Sequence, residues 1–213
     1  KIIIIGLILT SCKEKITKEK SQPKISKVNI EYSDELKQFK SDFKIYTKDF
    51  FTSIQVKERN ICSFGVFADQ DMSSFLLYYN TKEHLIDFEI LSEIDDLISI
   101  RKDVDIWWIP EWKGSDTDLR EPINEKLHKS MSNFYSEMEF VKYKDTMFYI
   151  FCEALKELRE EGLFERAEDD FLLLVQESDN FSAEDDEGNL REILSDEQWK
   201  SYLQFNLSWL SSY

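Results

Sequence analysis

The sequence predicts an α+β domain of mixed α/β layers, in which helices pack on a central sheet of about four strands, and three observations support this prediction. The segment from Phe140 to Asp179 combines an amphipathic helical pattern, a glycine stop and a short apolar run typical of a buried strand. Two more strand-like runs, 61–68 and 75–79, are close enough in sequence to pair as an antiparallel hairpin. Helical patterns separate the remaining elements, which is the order expected of helices and strands packed in layers.

The helix predicted after Phe140 has apolar residues every three or four positions, and charged residues fill its other face. Gly162 should end this helix, because glycine tolerates the left-handed conformation and Leu163 can then fold back on the last apolar turn. The run Phe171–Val175 is too short for a helix and is expected to be a central strand buried on both faces. Core positions are predicted for the apolar stripe of the helix: Tyr143, Met147, Phe151, Ala154, Leu155 and Leu158.

The folded part is expected to begin with a helix that Ser33 caps and that ends near Gln55. A strand at Ile61–Ala68, a turn at 69–71 and a second strand at Phe75–Tyr79 should follow. The apolar face of this first helix is predicted to consist of Leu36, Phe39, Phe43, Tyr46, Phe50 and Ile54.

Four more elements complete the predicted order. Asn80 or Thr81 can cap a helix, Val104–Ile109 should form a strand, and Pro122 and Ser195 lie at the starts of two further helices. Burial is expected in these helices for Leu85, Phe88, Leu91, Ile94, Ile123, Leu127, Met131, Phe134 or Tyr135, Trp199, Tyr202 and Leu203. We find no sequence repeat and no sign of a second domain.

The start of the chain resembles that of a bacterial lipoprotein. The apolar run Ile2–Leu9 is followed by the sequence LTSC, which looks like a lipoprotein box ending at Cys12. The resemblance implies a signal peptide at 1–11, lipid on Cys12, a flexible tether at 12–31 and one globular domain at 32–213, held at the membrane of the cell envelope. The alternative is a buried strand that ends in a cysteine by chance.

Charge is distributed unevenly along the chain. The net charge is −16, yet residues 1–30 hold seven lysines against Glu14 and Glu19, so that −16 − 5 leaves −21 for the remainder. An acidic body disfavours binding to nucleic acid, because affinity for phosphate comes from clustered lysine and arginine. The expected partners are therefore the membrane, through the lipid on Cys12, and a basic protein.

Three segments together resemble one bacterial family, the domain-of-unknown-function family 4303. They are Trp107 to Trp112, Glu153 to Phe164 and Leu172 to Asp179, with the sequences WWIPEW, EALKELREEGLF and LLLVQESD. The resemblance extends over about Leu36 to Phe205 and implies a small bacterial domain without an assigned reaction. Such domains are suspected to belong among toxin-immunity proteins, which an acidic surface fits.

The sequence offers no catalytic constellation. His84 and His128 fall in different predicted helices, and zinc needs three or four converging ligands, so neither a metal nor another cofactor is expected. Cys152 abuts an apolar helix face and should be a buried thiol, although a disulfide with Cys62 is the alternative in an oxidising compartment. The acids at 184–187 lack the order of a calcium-binding loop, and paired catalytic carboxylates cannot be told from surface acids by sequence.

Four residues are candidates for binding a partner. Trp107 and Trp108 are consecutive on a predicted strand, so they must face opposite sides of it. One of them should pack in the core, whereas the other, or Trp112 beside Glu111, can serve as an exposed aromatic anchor.

These observations together favour a non-enzymatic, envelope-anchored protein-binding module. A toxin-immunity protein acting in the envelope is the alternative, and a hydrolase that uses carboxylates is the third hypothesis.

Overall fold

The computed structural model describes residues 32–85, 109, 112–115, 122–165, 171–178 and 189–210. The helices with defined bounds in this part of the chain are α1 (Asp34–Lys57), α2 (Pro122–Glu137), α3 (Phe140–Glu160) and α4 (Asp196–Leu210). The strands are β1 (Ile61–Ala68), β2 (Phe75–Thr81), β3 (Gly114–Ser115) and β4 (Leu172–Glu177).

The four strands form one mixed sheet in the order β3-β2-β1-β4. β1 and β2 are the antiparallel hairpin that the sequence predicts, whereas β1 and β4 run parallel. The α+β prediction with about four strands is therefore confirmed. The central position predicted for the strand at 171–175 is wrong for the described sheet: β1 pairs on both of its sides, and β4 lies at the end of the order. β4 is nevertheless buried along its whole length.

Of the strand predicted at Val104–Ile109, the structure describes only Ile109, and the rest of that strand stays a prediction. Ile109 lies in a turn, since its carbonyl accepts a hydrogen bond of 3.0 Å from the backbone N–H of Trp112. The structure contains a strand that the sequence did not predict, Gly114–Ser115, which pairs with Tyr78 and Tyr79 of β2. A Cβ at Gly114 would lie 2.6 Å from the Tyr79 ring, so glycine permits this close approach where the sequence suggested only a polar loop. The predicted positions 86–108 and 179–188 lie outside the described residues.

The predicted helix starts are confirmed by their capping contacts. Ser33 Oγ accepts a hydrogen bond of 3.3 Å from the backbone N–H of Leu36 at the start of α1. Thr81 Oγ1 accepts one of 3.4 Å from the N–H of His84, which makes Thr81 the cap of the two proposed. Ser195 Oγ accepts from the N–H of Gln198, whose side chain accepts from the N–H of Ser195 in return, so α4 begins with a capping box.

α3 ends as the sequence predicts. Gly162 has a φ of +82°, its N–H donates to the carbonyl of Arg159, and the N–H of Leu163 donates to that of Leu158, each at 3.0 Å. These two hydrogen bonds define a Schellman motif, which satisfies carbonyl groups that the helix itself leaves unpaired. Leu155 and Leu158 are completely buried, which confirms their predicted core positions.

α1 and α3 pack side by side on the face of the sheet that carries Phe64 and Phe75. Their aromatic side chains interlock: Phe43 lies 4.9 Å from Phe151 and 5.4 Å from Phe75, and Phe51 lies 5.4 Å from Phe64, between ring centroids. Edge and tilted contacts of this kind add to the hydrophobic gain from burial. Phenylalanine side chains thus connect the two helices to the sheet.

Lysines of α1 meet glutamates of α3 along the outer side of this interface, in a set of ion pairs that we name the charge ladder. The distances between nitrogen and oxygen atoms run from 2.5 to 2.9 Å. Residue numbers rise together in both helices along the ladder, so α1 and α3 are parallel. Its members are Lys40, Lys44, Lys48, Glu153, Glu157 and Glu161.

Candidate functional site

One surface feature of the described residues that packing does not explain is a corner between α2 and α3. Three large apolar side chains are exposed there: Tyr135 at 42%, Phe140 at 44% and Val141 at 59%. We name these three residues the α2–α3 corner. Large exposed apolar groups that lie together mark interaction sites more often than scattered single ones do.

Local sequence explains why these side chains point outward. Phe134 is buried and its ring packs edge-on against Phe39 of α1, at 5.9 Å between centroids, so its neighbour Tyr135 must face away from α1. Phe140 is in line with the buried Tyr143 but lies one turn nearer the start of α3. Val141 is one turn before the exposed Asp145, on the outward side of the helix.

The rings of the corner are held in place by contacts with one another and with the core. Tyr135 makes edge contacts with Phe140 and Tyr143, at 6.0 and 5.4 Å between ring centroids. Tyr143 is fully buried and its hydroxyl donates to the backbone carbonyl of Met72. Burial also raises the pKa of Tyr143 well above its ordinary value, so the hydroxyl keeps the proton that it donates.

A lysine supports Phe140 from behind. Lys144 Nζ lies 5.9 Å from the centroid of the Phe140 ring, within the range of a cation–π contact. The same nitrogen is 2.8 Å from Glu177 Oε2, and Glu177 is only 4% exposed. A buried carboxylate requires a paired cation, so Glu177 fixes Lys144 and, through it, one side of Phe140.

Acidic residues lie beside the corner in the turn between the two helices. Glu137 ends α2 and Glu139 is the N-cap of α3, and both are exposed. An apolar centre with charged groups at its edge is the usual anatomy of a protein-binding site.

The corner lies at the N-terminal end of α1. α1 and α2 are antiparallel, since Tyr46 contacts Asn124 near the start of α2 whereas Phe39 contacts Phe134 near its end. The charge ladder shows that α3 is parallel to α1, so both helices of the corner meet beyond the first turn of α1. The exposed residues therefore lie at the same end of the domain as the start of α1.

The structure gives Trp112 a different position from that of an exposed anchor. Its side chain is 5% exposed and lies against β1, where a Cβ added at Gly65 would come within 3.2 Å of the indole ring. Trp112 is therefore a core residue in this conformation. The described residues do not include Trp107, Trp108, Glu111 or Cys12. A binding role for Trp107, Trp108, Glu111 or Trp112 therefore stays a prediction.

Sequence reasoning missed the corner although two signals were present. Phe134 and Tyr135 are consecutive aromatic residues in one helix, so only one of them can face the core. Val141 is an apolar residue beside charged neighbours, off the stripe that contains Tyr143. Neither signal shows that the two positions meet, because that depends on the tight turn between α2 and α3.

Other polar groups take part in local structure. The Asp69 carboxylate accepts hydrogen bonds of 2.6 to 3.2 Å from the N–H and hydroxyl groups of Ser73 and Ser74, which shapes the turn between β1 and β2. The His128 ring stacks on Phe75 at 5.3 Å between centroids. Burial lowers the pKa of His128, and the charge of Asp69 opposes this shift only in part.

The described residues give little support for a disulfide or for a metal site. Within them, Cys62 is half-buried and Cys152 is buried, no disulfide joins the two, and burial raises the pKa of Cys62. In the same part of the chain, no group of three or more His, Cys, Asp or Glu side chains is arranged to hold a metal ion. The helices that the structure describes include none with the length and apolar character needed to cross a membrane.

The fold and the corner define a small α+β domain with an exposed aromatic surface. Residues 43–193, more than two thirds of the 213-residue chain, match the family described as Domain of unknown function (DUF4303), and the chain belongs to this family. Comparison with curated proteins and with solved structures gives no match.

Proposed function

We propose that this protein is a non-enzymatic protein-binding module, anchored in the bacterial cell envelope through lipid on Cys12, and that the α2–α3 corner is its binding surface. The observation that supports the binding role is the exposure of Tyr135, Phe140 and Val141 side by side. Their contacts hold the rings in place before any partner arrives, so little side-chain freedom is lost on binding.

The partner that best fits this surface is a protein with a basic, partly apolar patch. Glu137 and Glu139 lie beside the corner, and the chain as a whole carries a net charge of −16. Opposite charges speed the encounter of two proteins, whereas the buried apolar contact slows their separation. A basic toxin neutralised by this chain would be one such partner.

A hydrolase that uses carboxylates has less support. Glu153 and Glu157 lie in the charge ladder, where each accepts a hydrogen bond from Lys40 at 2.8 or 2.9 Å. Carboxylates shared between lysines in this way stabilise a helix interface. A general acid instead needs an environment that raises its pKa, whereas the hydrogen bonds from Lys40 and Lys44 overcome the effect of burial and lower the pKa of Glu157.

The binding role can be tested with the full chain as bait in envelope extract of the source cells. Proteins retained by the wild type are identified, purified and measured by surface-binding kinetics against Phe140→Ala and Val141→Ser. If Phe140 is an anchor, its loss should weaken binding by about 2 kcal/mol, or about 30-fold in Kd, mainly through faster dissociation. The association rate of the wild type should fall as salt is raised.

Val56→Ser is the matched control, because Val56 is 84% exposed and lies on α1, near the opposite end of that helix from the corner. It should bind as the wild type does. The proposal is contradicted if the purified partner binds Phe140→Ala as tightly as the wild type, or if Val56→Ser weakens binding equally. A partner that is an enzyme inhibited on binding would identify the immunity role.

Anchoring has a separate test. Cys12→Ala should leave the precursor uncut and unlabelled by radioactive palmitate, because the thiol of Cys12 is the proposed acceptor of the lipid. Equal labelling of the wild type and the variant would contradict lipidation at Cys12 and leave the binding proposal standing.

A further inference from the structure

The ring of Phe140 already has one cation beside it. Lys144 Nζ lies 5.9 Å from the ring centroid, and the same nitrogen is 2.8 Å from Glu177 Oε2. An aromatic ring attracts a cation because its face carries partial negative charge. The charge of Lys144 is paired with Glu177, and the Phe140 side chain is still 44% exposed. A second cation can therefore approach the ring from solvent.

Tyr135 supplies a second exposed ring next to the first. The centroids of Tyr135 and Phe140 are 6.0 Å apart, and the two ring planes are inclined at 83°. Tyr143, which is fully buried, contacts Tyr135 at 89° and holds it in place from the core side. A planar group that reaches this pair can stack on one ring while it meets the edge of the other.

Two carboxylates lie beside these rings. Glu137 ends α2, and Glu139 is the N-cap of α3, next to Phe140 in the chain; both glutamates are exposed. No ion pair joins either carboxylate to another residue in the part of the chain that the structure describes. In the charge ladder, by contrast, Glu157 and Glu161 are each paired with two lysines. The carboxylates at the corner thus remain available to a cation from outside.

The nearest exposed lysine in sequence lies on another side of α3. At 3.6 residues per turn, Lys142 is about 200° round the helix from Phe140, so it lies away from the rings. It therefore does not compete with an incoming cation for the ring of Phe140.

Aromatic rings beside carboxylates match the arginine side chain. A guanidinium group is planar and weakly hydrated, so it stacks on a ring while its N–H groups donate two parallel hydrogen bonds to a carboxylate. A lysine ammonium carries the same charge but is compact and strongly hydrated, so it gains less from the ring and binds the carboxylate as a point charge. Val141, which is 59% exposed, offers apolar surface to the methylene stem.

We infer that the α2–α3 corner binds an arginine side chain of the partner protein, which stacks on the exposed rings of Tyr135 and Phe140 and pairs with the carboxylates of Glu137 and Glu139. This inference rests on the proposed function insofar as it takes the corner as the binding surface, and it specifies the group that the corner recognises. Arginine is among the residues that contribute most to the affinity of protein interfaces.

Three blocked tripeptides test this specificity without any partner. They are acetyl-Leu-Arg-Leu-amide, the same peptide with lysine, and the same peptide with citrulline, which keeps the shape of arginine and lacks its charge. Amide chemical shifts of the purified full chain are followed by NMR up to about 20 mM peptide, and the arginine peptide should saturate the amides of 135–141 with a Kd of about 2 mM. The lysine peptide should bind at least about fivefold more weakly and the citrulline peptide at least about tenfold.

Equal charge makes the comparison specific. The arginine and lysine peptides each carry one positive charge, so their general attraction to an acidic chain is the same. A difference between their Kd values at the corner therefore reports the guanidinium group.

Two variants and one matched control identify the contacts. Glu137→Gln combined with Glu139→Gln removes the carboxylates, and Phe140→Leu removes a ring while it keeps an apolar side chain. Each should weaken binding of the arginine peptide about fivefold. Glu125→Gln combined with Glu197→Gln changes the net charge equally at exposed positions in the first turns of α2 and α4, and it should leave the Kd unchanged. The amide spectrum of each variant shows whether it is folded.

The inference is overturned if the arginine and lysine peptides bind the corner equally, if the arginine peptide shifts other amides instead, or if no amide of the corner shifts at the highest concentration. These outcomes are separate from the proposed function because no partner is present. A retained partner that depends on Phe140, together with equal binding of the two peptides, would keep the binding role and overturn the arginine assignment. A clear preference for arginine with no partner retained from extract would support the assignment and count against the binding module.

Discussion

The two ends of α3 meet their surroundings in opposite ways. Toward its C-terminal end, α1 lies alongside, apolar side chains are completely buried, and the charged residues at the edge are paired across the interface. In its first turn α1 has not yet begun, and Phe140 and Val141 are exposed. One end of α3 is thus packed against α1, whereas the other end leaves apolar side chains exposed.

This difference between the two ends of α3 indicates where a partner can bind. In the charge ladder, burial alone would lower the pKa of Lys40 and Lys44, yet their hydrogen bonds to glutamates outweigh burial and raise both values. Each charge at that interface is therefore satisfied within the chain. At the corner, apolar area that burial would stabilise by about 25 cal/mol per Å² is left in water. A surface that lowers the free energy when covered is a candidate for binding.

The largest effect on stability should come from substitutions in the interface between α1 and α3. Leu155→Ala and Leu158→Ala each remove a fully buried side chain and leave a cavity, so each should lower the free energy of unfolding by about 2 to 5 kcal/mol. Val141→Ala, at the corner, should change it by no more than about 0.5 kcal/mol. Denaturant titration measures all three. Equal losses of unfolding free energy in Leu155→Ala and Val141→Ala would contradict this difference between the two ends of α3.

Those positions were predictable from sequence because their signals are local. The apolar stripe of α3, the Gly162 stop and the Ser33 cap depend on residues within one or two helical turns, and the structure confirms each. β1 was predicted with its correct bounds for the same reason, since an apolar run followed by Asp69 marks its own end.

Features that depend on contacts between distant segments were not predictable. The strand at Gly114–Ser115 exists because Gly114 fits against the Tyr79 ring, a contact between residues 35 positions apart along the chain. Trp112 resembles an exposed anchor in sequence, and only its place against β1 shows it to be part of the core. The corner likewise needs the turn that brings Tyr135 to Phe140.

A smaller effect is expected where α3 ends. Gly162 has a φ of +82°, a conformation in which an L-residue is disfavoured by about 1 to 2 kcal/mol. Gly162→Ala should lower the free energy of unfolding by about that amount, whereas Gly162→Asn should lower it less, because asparagine tolerates the left-handed region. If alanine proves neutral, the Schellman motif is not what holds this end of α3.

One substitution should stabilise the interface between α1 and α3. Thr47 is fully buried in α1, one turn from both Phe43 and Phe51, and its Oγ1 finds no hydrogen-bond partner among the described residues. Thr47→Val keeps the shape of the side chain and removes the unpaired hydroxyl, so the free energy of unfolding should rise by about 1 kcal/mol. Thr47→Ser, which keeps the hydroxyl and loses a methyl group, should lower it. Loss of stability in Thr47→Val would mean that the hydroxyl is paired in solution.

The smallest effect concerns the charge ladder and depends on solvent conditions. Lys44 bonds both Glu157 and Glu161, and Lys44→Met retains most of its apolar stem, so the variant should lose about 0.2 to 1 kcal/mol in dilute buffer at neutral pH. This loss should shrink in 1 M salt, where charges are screened beyond about 3 Å.

Low pH should also remove the difference in stability between the wild type and Lys44→Met. Hydrogen bonds from Lys44 and Lys48 lower the pKa of Glu161 from its ordinary 4.5 to about 2, and the pKa of Glu157 is lowered as well. A carboxyl whose pKa is lower in the folded state contributes stability above its unfolded value, and this contribution disappears as the pH falls from 4.5 toward 2. The melting temperatures of wild type and Lys44→Met should therefore differ at pH 7 and converge across that window. A difference that stays constant from pH 7 to pH 3 would show that Lys44 acts through the packing of its stem, and the ladder would then be a consequence of the helix interface without stabilising it.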